Sequence, residues 1–516
     1  MLILLAVAVA VLAGLSLARV SSVPAPVLYA LAGLAVSYAP GMDALRLPPH
    51  VVFYGFLPPL LYHAAFFTSP RETRAHALPI ATLAVGLVLA TLLAVGWVVA
   101  ALVGALNLAA GFVLGAVLGP TDPVAATAVI RRVGAPERLQ AVLEGESLVN
   151  DGVGLVAFAL ALRGALSGSF SYGDASLRFL LVAGGGVALG LVLGLVVAWI
   201  RRRVHDAEIE IFISLLTPYV AYVPAERAGV SGVLAVVACG VFLGWRSGGI
   251  FRPEVRLQST AFWNMLDFLL TSVLFVLLGM QFPSVVGALG AYAPLSLAWY
   301  ALVTFAVVAL VRMAWMFTVP YAIARLPGER GWREVSPWRD RFVLGWSGMR
   351  GAVSLAAALS ITGALAQREL VLFLTFTTIL GGLVLQAIPL PWLLRRLRLG
   401  VGEEMSGAEA RARLRLAQAA LERLDALAAE DWVAPEFVDP VRALYEQRLG
   451  RFEARLERDG GGDHGAGDYR RLQRELIDAQ RQALAELAAE GRVSTGVERR
   501  IERELDLEQA RVPSRP

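Results

Sequence analysis

Long apolar stretches recur from the start of the chain to about residue 400, each bounded by turn residues or arginines. A helix of about 20 apolar residues spans the roughly 30 Å hydrocarbon layer of a bilayer. The pattern therefore predicts an all-α, polytopic membrane protein with thirteen transmembrane helices. The stretches cover residues 2–18, 25–39, 51–68, 77–103, 107–130, 139–162, 177–200, 208–224, 229–245, 259–281, 291–323, 341–363 and 369–393.

Beyond residue 400 the composition changes to Arg, Glu, Ala and Leu. Leu414, Leu421 and Leu424 share one stripe at helical spacing, which is typical of an amphipathic helix. We therefore expect two domains, a transmembrane domain over residues 1–400 and a soluble helical tail over residues 401–516.

The arginines between the stretches predict the topology. One set of alternate loops holds 20 arginines and the opposite set holds 5. Because basic residues favour the cytoplasmic side, the N-terminus is expected outside and the C-terminal tail in the cytoplasm of a cell inner (plasma) membrane protein. The arginines lie at the ends of the stretches and form no single patch, so no nucleic-acid partner is expected.

The chain has one cysteine, Cys239, and it lies inside an apolar stretch. A single cysteine excludes a disulfide framework and a Cys-rich metal site. We expect no cofactor.

The sixth stretch contains a polar segment, Glu144–Gly154, and Asp151 falls near the middle of the membrane. On a helix, Ser147 lies one turn before both Asn150 and Asp151, so their polar groups share one face. Glu146 lies beside that face. An ionisable side chain at this depth costs about 2.5–3.5 kcal/mol and indicates a functional site. For the two glutamates of the segment, the alternative is capping or pairing near the end of the span.

Two stretches are interrupted at membrane depth. Gly119–Pro123 breaks the fifth with two prolines, and Gly345–Gly351 breaks the twelfth with glycines. Non-helical backbone inside a membrane occurs only where it is buried in protein or lines a cavity. Broken helices in corresponding positions of two halves are the best sequence indication of a transporter binding site. Asp122 can also cap the half-helix that begins at Pro123.

Two arginines lie within the apolar stretches. A permanently charged guanidinium such as that of Arg350 requires an anionic partner, and Glu146 is the nearest candidate by depth. Arg312 either extends to the cytoplasmic surface or faces the same cavity.

A carboxylate facing a broken helix can bind either a proton or a monovalent cation. Burial disfavours the charged carboxylate and a bound cation favours it, so the two ligands compete for Asp151. If only the loaded forms cross the membrane, the result is exchange. Oxygen ligands would come from Asp151, Asp122, Ser147 and the backbone around Thr121. A divalent cation is less expected because its sites usually collect more formal charge.

Three segments resemble the signature segments of the monovalent cation:proton antiporter-1 family, the bacterial sodium/proton exchangers. They are Gly119–Ala125, Glu144–Gly152 and Gly348–Val353, and the resemblance covers the whole membrane domain. It implies a thirteen-span fold with inverted repeats and a secondary active antiporter that works by alternating access, through an elevator-like movement. It also implies a homodimer formed through a dimerisation domain. The expected substrates are H⁺ and Na⁺, with K⁺ or Li⁺ as alternatives.

The resemblance further implies roles for single residues. Glu146 and Arg350 would form a structural ion pair, and an Asn–Asp pair at the site is associated with electroneutral exchange. Thr271 departs from the family pattern, which often has an amide there. The group around the ion and the proton would be Asp151, Asn150, Ser147, Asp122 and the carbonyl of Thr121.

Other functions are compatible with parts of the sequence. A K⁺/H⁺ exchanger of the same fold is one alternative. An intramembrane serine protease could use Ser347 as nucleophile and His63 as base, but it leaves the intramembrane carboxylates unexplained. An anion carrier could use Arg350 and the half-helix N-termini, and a cation channel would need a continuous pore. We expect a transporter and not an enzyme.

Overall fold

The computed structural model describes residues 2–21, 23–39, 50–168, 172–204, 206–250, 253–323, 337–365, 367–399, 404–428, 433–457 and 475–484, with a few single positions beside them. The chain divides into two units, Met1–Val401 and Gly402–Pro516. Several loops that carry the arginines of the topology prediction, including residues 324–336, lie outside the described residues.

The described part of the first unit is built from helices and contains no strand. Its helices are α1 (Leu2–Val20), α2 (Ala25–Ser37), α3 (Val51–Phe67), α4 (Pro70–Ala75), α5 (Ala77–Leu102), α6 (Leu108–Leu118), α7 (Val124–Val133), α8 (Glu137–Ser167), α9 (Tyr172–Arg201), α10 (Ala207–Arg227), α11 (Gly232–Ile250), α12 (Pro253–Gly287), α13 (Pro294–Ile323), α14 (Trp338–Trp346), α15 (Ala352–Leu359) and α16 (Arg368–Arg396).

This architecture confirms the all-α membrane fold and both interrupted helices. The fifth stretch forms α6 and α7 with a break between them, and the twelfth forms α14 and α15. Among the described residues, seven helices are long and apolar enough to cross a membrane, and five shorter apolar helices accompany them. The count of thirteen spans and the inverted repeats stay predictions.

Small residues bring some helices into direct backbone contact. Gly33 of α2 faces the carbonyl of Val276, and Gly279 of α12 faces the carbonyl of Ala30. A Cβ atom at either glycine would overlap the opposite backbone, so only glycine permits this approach. Gly190 of α9 makes the same kind of contact with α11. The packing of α2 with α12 and of α9 with α11 thus depends on the absence of side chains.

The second unit contains two described helices of more than twenty residues, α17 (Glu404–Leu427) and α18 (Pro435–Glu457). The helices pack against each other, and Arg442 donates a hydrogen bond of 2.5 Å to Asp425. This agrees with a helical tail. Its cytoplasmic location stays a prediction.

Candidate ion-binding site

The two interrupted helices meet at their breaks. The prolines at 120 and 123 end α6 and delay the start of α7 until Val124, while the second break runs from the end of α14 to Ala352. The amide of Asp122 donates a hydrogen bond of 2.8 Å to the carbonyl of Met349. Gly351 lies so close to Asp122 that a Cβ atom there would overlap the carboxylate. The two non-helical segments therefore join across the unit.

Each break supplies a charged group to a helix end of the other. The Asp122 carboxylate accepts hydrogen bonds from the amide of Val124 at 2.9 Å and of Ala352 at 3.4 Å, the first residues of α7 and α15. Arg350 donates through Nε to the carbonyl of Leu118, the last residue of α6, at 2.8 Å, and through Nη1 to the carbonyl of Gly348. Helix N-termini favour negative charge and C-termini positive charge, so both contacts have the favourable sign. Because Asp122 accepts from the first amide of α7, it also caps that half-helix, which was the alternative interpretation of this residue from the sequence.

The structure corrects the expected partner of Glu146. Arg312 of α13 binds both carboxylate oxygens of Glu146, through Nη1 and, at 2.8 Å, through Nη2. Its Nε also donates to the carbonyl of Leu344 at 3.0 Å. The two paired side chains are each 1% exposed. The predicted pairing of Glu146 with Arg350 is not seen as a direct ion pair. Arg350 lies within electrostatic reach of Glu146, but its hydrogen bonds go to backbone carbonyls at the breaks. Depth along a span could not distinguish the two arginines.

A short chain of hydrogen bonds links the ion pair to the polar face of α8. The hydroxyl of Thr121 donates to Glu146 at 2.9 Å and accepts from the side-chain amide of Asn150 at 2.8 Å. Asn150 is fully buried. In this geometry the Asn150 amide holds the hydroxyl of Thr121. The ion pair contacts the first break through the same hydroxyl, which donates to Glu146.

A cavity of about 650 Å³ opens beside the breaks. Asp151 reaches it and makes no side-chain hydrogen bond to any residue that the structure describes, whereas the other carboxylate at the crossing is held by amides. Asn150 is absent from the lining. Four of the five predicted site residues therefore share one cavity: Thr121, Asp122, Ser147 and Asp151.

The cavity lining also includes groups that the sequence analysis did not assign to the ion site. Asp267 of α12 lies 3.3 Å from His63 of α3, measured from Oδ1 to Nδ1, and both line the cavity. Asp267 interrupts an apolar stretch, so the rule that singled out Asp151 could have found it. Thr271, one turn later, also faces the cavity, whereas the hydroxyl of Ser272 bonds back to the carbonyl of Phe268.

Two further expectations are resolved by contacts. Glu144 accepts from Arg131 at 2.7 Å and from Gln140 at 2.8 Å, so this glutamate pairs near the end of its span. Ser347 is 1% exposed and does not line the cavity that contains His63. The pair required for a serine protease is not assembled.

Comparisons with known proteins agree with this geometry. The family described as "Sodium/hydrogen exchanger, transmembrane" matches residues 7–396. An uncharacterised Na⁺/H⁺ exchanger of Mycobacterium bovis is 34% identical over 537 residues, covering 99% of this chain and 96% of that protein. The low-affinity Na⁺/H⁺ antiporter NhaS1 of Synechocystis is 30% identical, covering 83% of this chain and 79% of that protein.

A solved structure supports the fold independently. The sodium proton antiporter MjNhaP1 of Methanocaldococcus jannaschii superposes with a TM-score of 0.60 at 21% identity, over 78% of this chain and all of that one. These matches support neither a protease nor an exchanger selective for potassium over sodium. The chain belongs to the sodium/hydrogen exchanger family, and it is a multi-pass cation/proton antiporter and not an enzyme.

Proposed function

We propose that Asp151 is the single exchangeable group and that it carries one Na⁺ in one direction and one H⁺ in the other. The observation that carries this proposal is the contrast between the two carboxylates of the cavity. The Asp122 carboxylate accepts hydrogen bonds from two backbone amides. The Asp151 carboxylate makes no hydrogen bond to a described residue and lines the cavity. A carboxylate without fixed donors is available to an ion or a proton.

The same contrast supports electroneutral exchange. Backbone amides bind the carboxylate form, so Asp122 is suited to supply a constant negative charge at the breaks. Asp151 alone then changes its ligand. Because Na⁺ and H⁺ each add one positive charge, the loaded site has the same net charge in both directions.

Oxygen ligands for Na⁺ would come from the groups that surround Asp151 in the cavity. We assign Ser147, Asp122 and the carbonyl of Thr121 to this role, and to Asn150 the task of fixing Thr121 through its hydroxyl. Alternating access would expose this one site to each side of the membrane in turn, by an elevator-like movement.

The test uses purified protein in liposomes with an acid interior and a trapped pH dye. Addition of Na⁺ outside should raise the interior pH. Asp151→Asn should abolish the response, because an amide cannot exchange a proton and carries no negative charge to balance that of the cation. Asp174→Asn, at an exposed carboxylate of α9 outside the cavity, is the matched control and should keep full activity. Parallel additions of K⁺ and Li⁺ give the ion preference.

Two results would contradict the proposal. Exchange that persists in Asp151→Asn would show that Asp151 is not the exchangeable carboxylate. An exchange rate that changes when a membrane potential is imposed would show that the stoichiometry is not one Na⁺ for one H⁺.

We further propose a homodimer in the plasma (inner) membrane of the cell, with the N-terminus outside and the C-terminal unit in the cytoplasm. The arginine bias of the loops supports this orientation. Because Cys239 is fully buried, we expect it to react little with a maleimide, so labelling of an introduced cysteine can be detected above a low background. In intact cells, Ser176→Cys should react with a membrane-impermeant maleimide and Ala428→Cys should not; the reverse pattern would invert the topology. The mass of the purified particle tests the dimer.

A further inference from the structure

The cavity that Asp151 lines also carries an acid–base pair that the exchange mechanism does not use. His63 and Asp267 come from different helices, α3 and α12, and their side chains are 18% and 36% exposed. Both face the cavity that Asp151 faces. The nearest Nδ1 to Oδ1 distance is 3.3 Å, so a protonated histidine would neutralise the carboxylate directly.

Aromatic rings fix the position of the histidine. The His63 ring stacks on Trp263 at a centroid distance of 6.2 Å and an angle of 15°, and it lies 4.9 Å from the ring of Phe67. Trp263 is itself fixed, since its Nε1 donates to Ser214 at 2.8 Å. The imidazole therefore stays beside Asp267 in either charge state. Thr271, one turn after Asp267, adds a hydroxyl to the cavity lining.

The other charged groups around the pair are mostly acidic. Those facing it from the cavity are Glu72, Asp122, Arg131, Glu137, Glu144 and Asp151. Arg131 is paired with Glu144, so the remaining charges on this side are carboxylates. On the packed side, Tyr62 of α3 lies within electrostatic reach of Arg201 of α9 and Cys239 of α11. The carbonyl of the buried Glu210 of α10 accepts from Arg201, and Tyr29 of α2 contacts the ring of Phe268. Among the described residues that line the cavity, His63 is thus the one group whose protonation adds a positive charge beside Asp267.

We propose that Asp267 is an accessory carboxylate that draws the cation towards Asp151, and that protonation of His63 switches this attraction off. Histidine is the side chain whose charge normally changes between pH 5 and 8. At high pH the pair carries one negative charge and raises the local cation concentration. At low pH the pair is neutral, so the cation is drawn in less strongly. This adds a second, independent pH dependence to the competition at Asp151, and it rests on the proposed site there.

The experiment measures the apparent KM for Na⁺ in liposomes at pH 6, 7 and 8, values that bracket the ordinary histidine pKa of about 6.5. His63→Gln keeps a hydrogen-bond donor but cannot become charged. It should lower KM about threefold at pH 6 and leave it unchanged at pH 8. Asp267→Asn should raise KM by a similar factor at pH 8, and it should raise KM at pH 6 as well, because the protonated His63 then has no counter-charge. The double variant, which is neutral at every pH, should match Asp267→Asn at pH 8 and the wild type at pH 6.

Controls separate this proposal from the others. His50→Gln, an exposed histidine at the start of α3 outside the cavity, should match the wild type. A merely structural pair would lower the maximal rate or the melting temperature of His63→Gln with no pH-dependent change in KM, and that outcome overturns the proposal. So does an equal KM for His63→Gln and wild type at pH 6. Because Asp151→Asn is scored by loss of exchange, its result is distinct from a KM shift in variants that retain Asp151.

Discussion

The two broken helices are interrupted by different residues and carry opposite charges. The first is broken by prolines and carries the carboxylate of Asp122, whereas the second is broken by glycines and carries the guanidinium of Arg350. Each charged side chain reaches across to a helix end of the other break. Each break therefore depends on a side chain from the other: Asp122 accepts from an amide at the N-terminus of α15, and Arg350 donates to a carbonyl at the C-terminus of α6. Neither helix end has these partners without the other broken helix.

The largest expected effect comes from the ion pair that braces both breaks. Arg312→Met leaves Glu146 buried without a counter-charge, at a cost of about 3–5 kcal/mol. Arg350→Met leaves carbonyls without donors and should cost less, about 1–3 kcal/mol. We expect the melting temperature of the purified protein to fall further for Arg312→Met.

The opposite order would restore Arg350 as the principal partner of Glu146. Arg132→Met, at an exposed position of α7, should change stability by less than about 0.5 kcal/mol. Glu146→Gln in the Arg312→Met background should recover part of the lost stability, since no charge is then left unpaired.

An intermediate effect is expected from the glycine at the crossing. In Gly351→Ala the new Cβ atom displaces the Asp122 carboxylate and weakens its contact with the amide of Ala352. The expected outcome is a loss of exchange of about tenfold to a hundredfold, because the ligand geometry moves. Gly363→Ala, where a Cβ atom meets nothing within 4 Å, should exchange at the wild-type rate in the same liposome assay. Full activity of Gly351→Ala would show that the close approach is dispensable.

The smallest effect belongs to the ordinary end of the first broken helix. Asn107 caps α6 through a hydrogen bond of 2.8 Å from the amide of Ala110. Asn107→Ala should cost about 1 kcal/mol of stability and leave the exchange rate unchanged. Thermal unfolding and dye dequenching on one preparation check both parts. A large loss of exchange would mean that the two ends of α6 are not independent.

The sequence predicted the described elements well because hydrocarbon imposes a strict requirement on length and polarity. The breaks were predictable for a similar reason, since proline and glycine act locally. The partner of Glu146 was not predictable, because Arg312 and Arg350 both lie near its depth and only the packing of α13 brings one of them to it. Asp267 was missed although it obeys the rule that identified Asp151. Its partner His63 lies some two hundred residues earlier in the chain.

The glycine contact between α2 and α12 has a consequence for motion. Where the backbones of α2 and α12 touch, no side chains lie between them that could repack into a second arrangement. The two helices therefore have one register, and they can separate only by losing contact along their length. Such helices shift together or not at all, and a change of shape is left to places where flexible side chains meet, such as the cavity lined by Asp151 and Asp267.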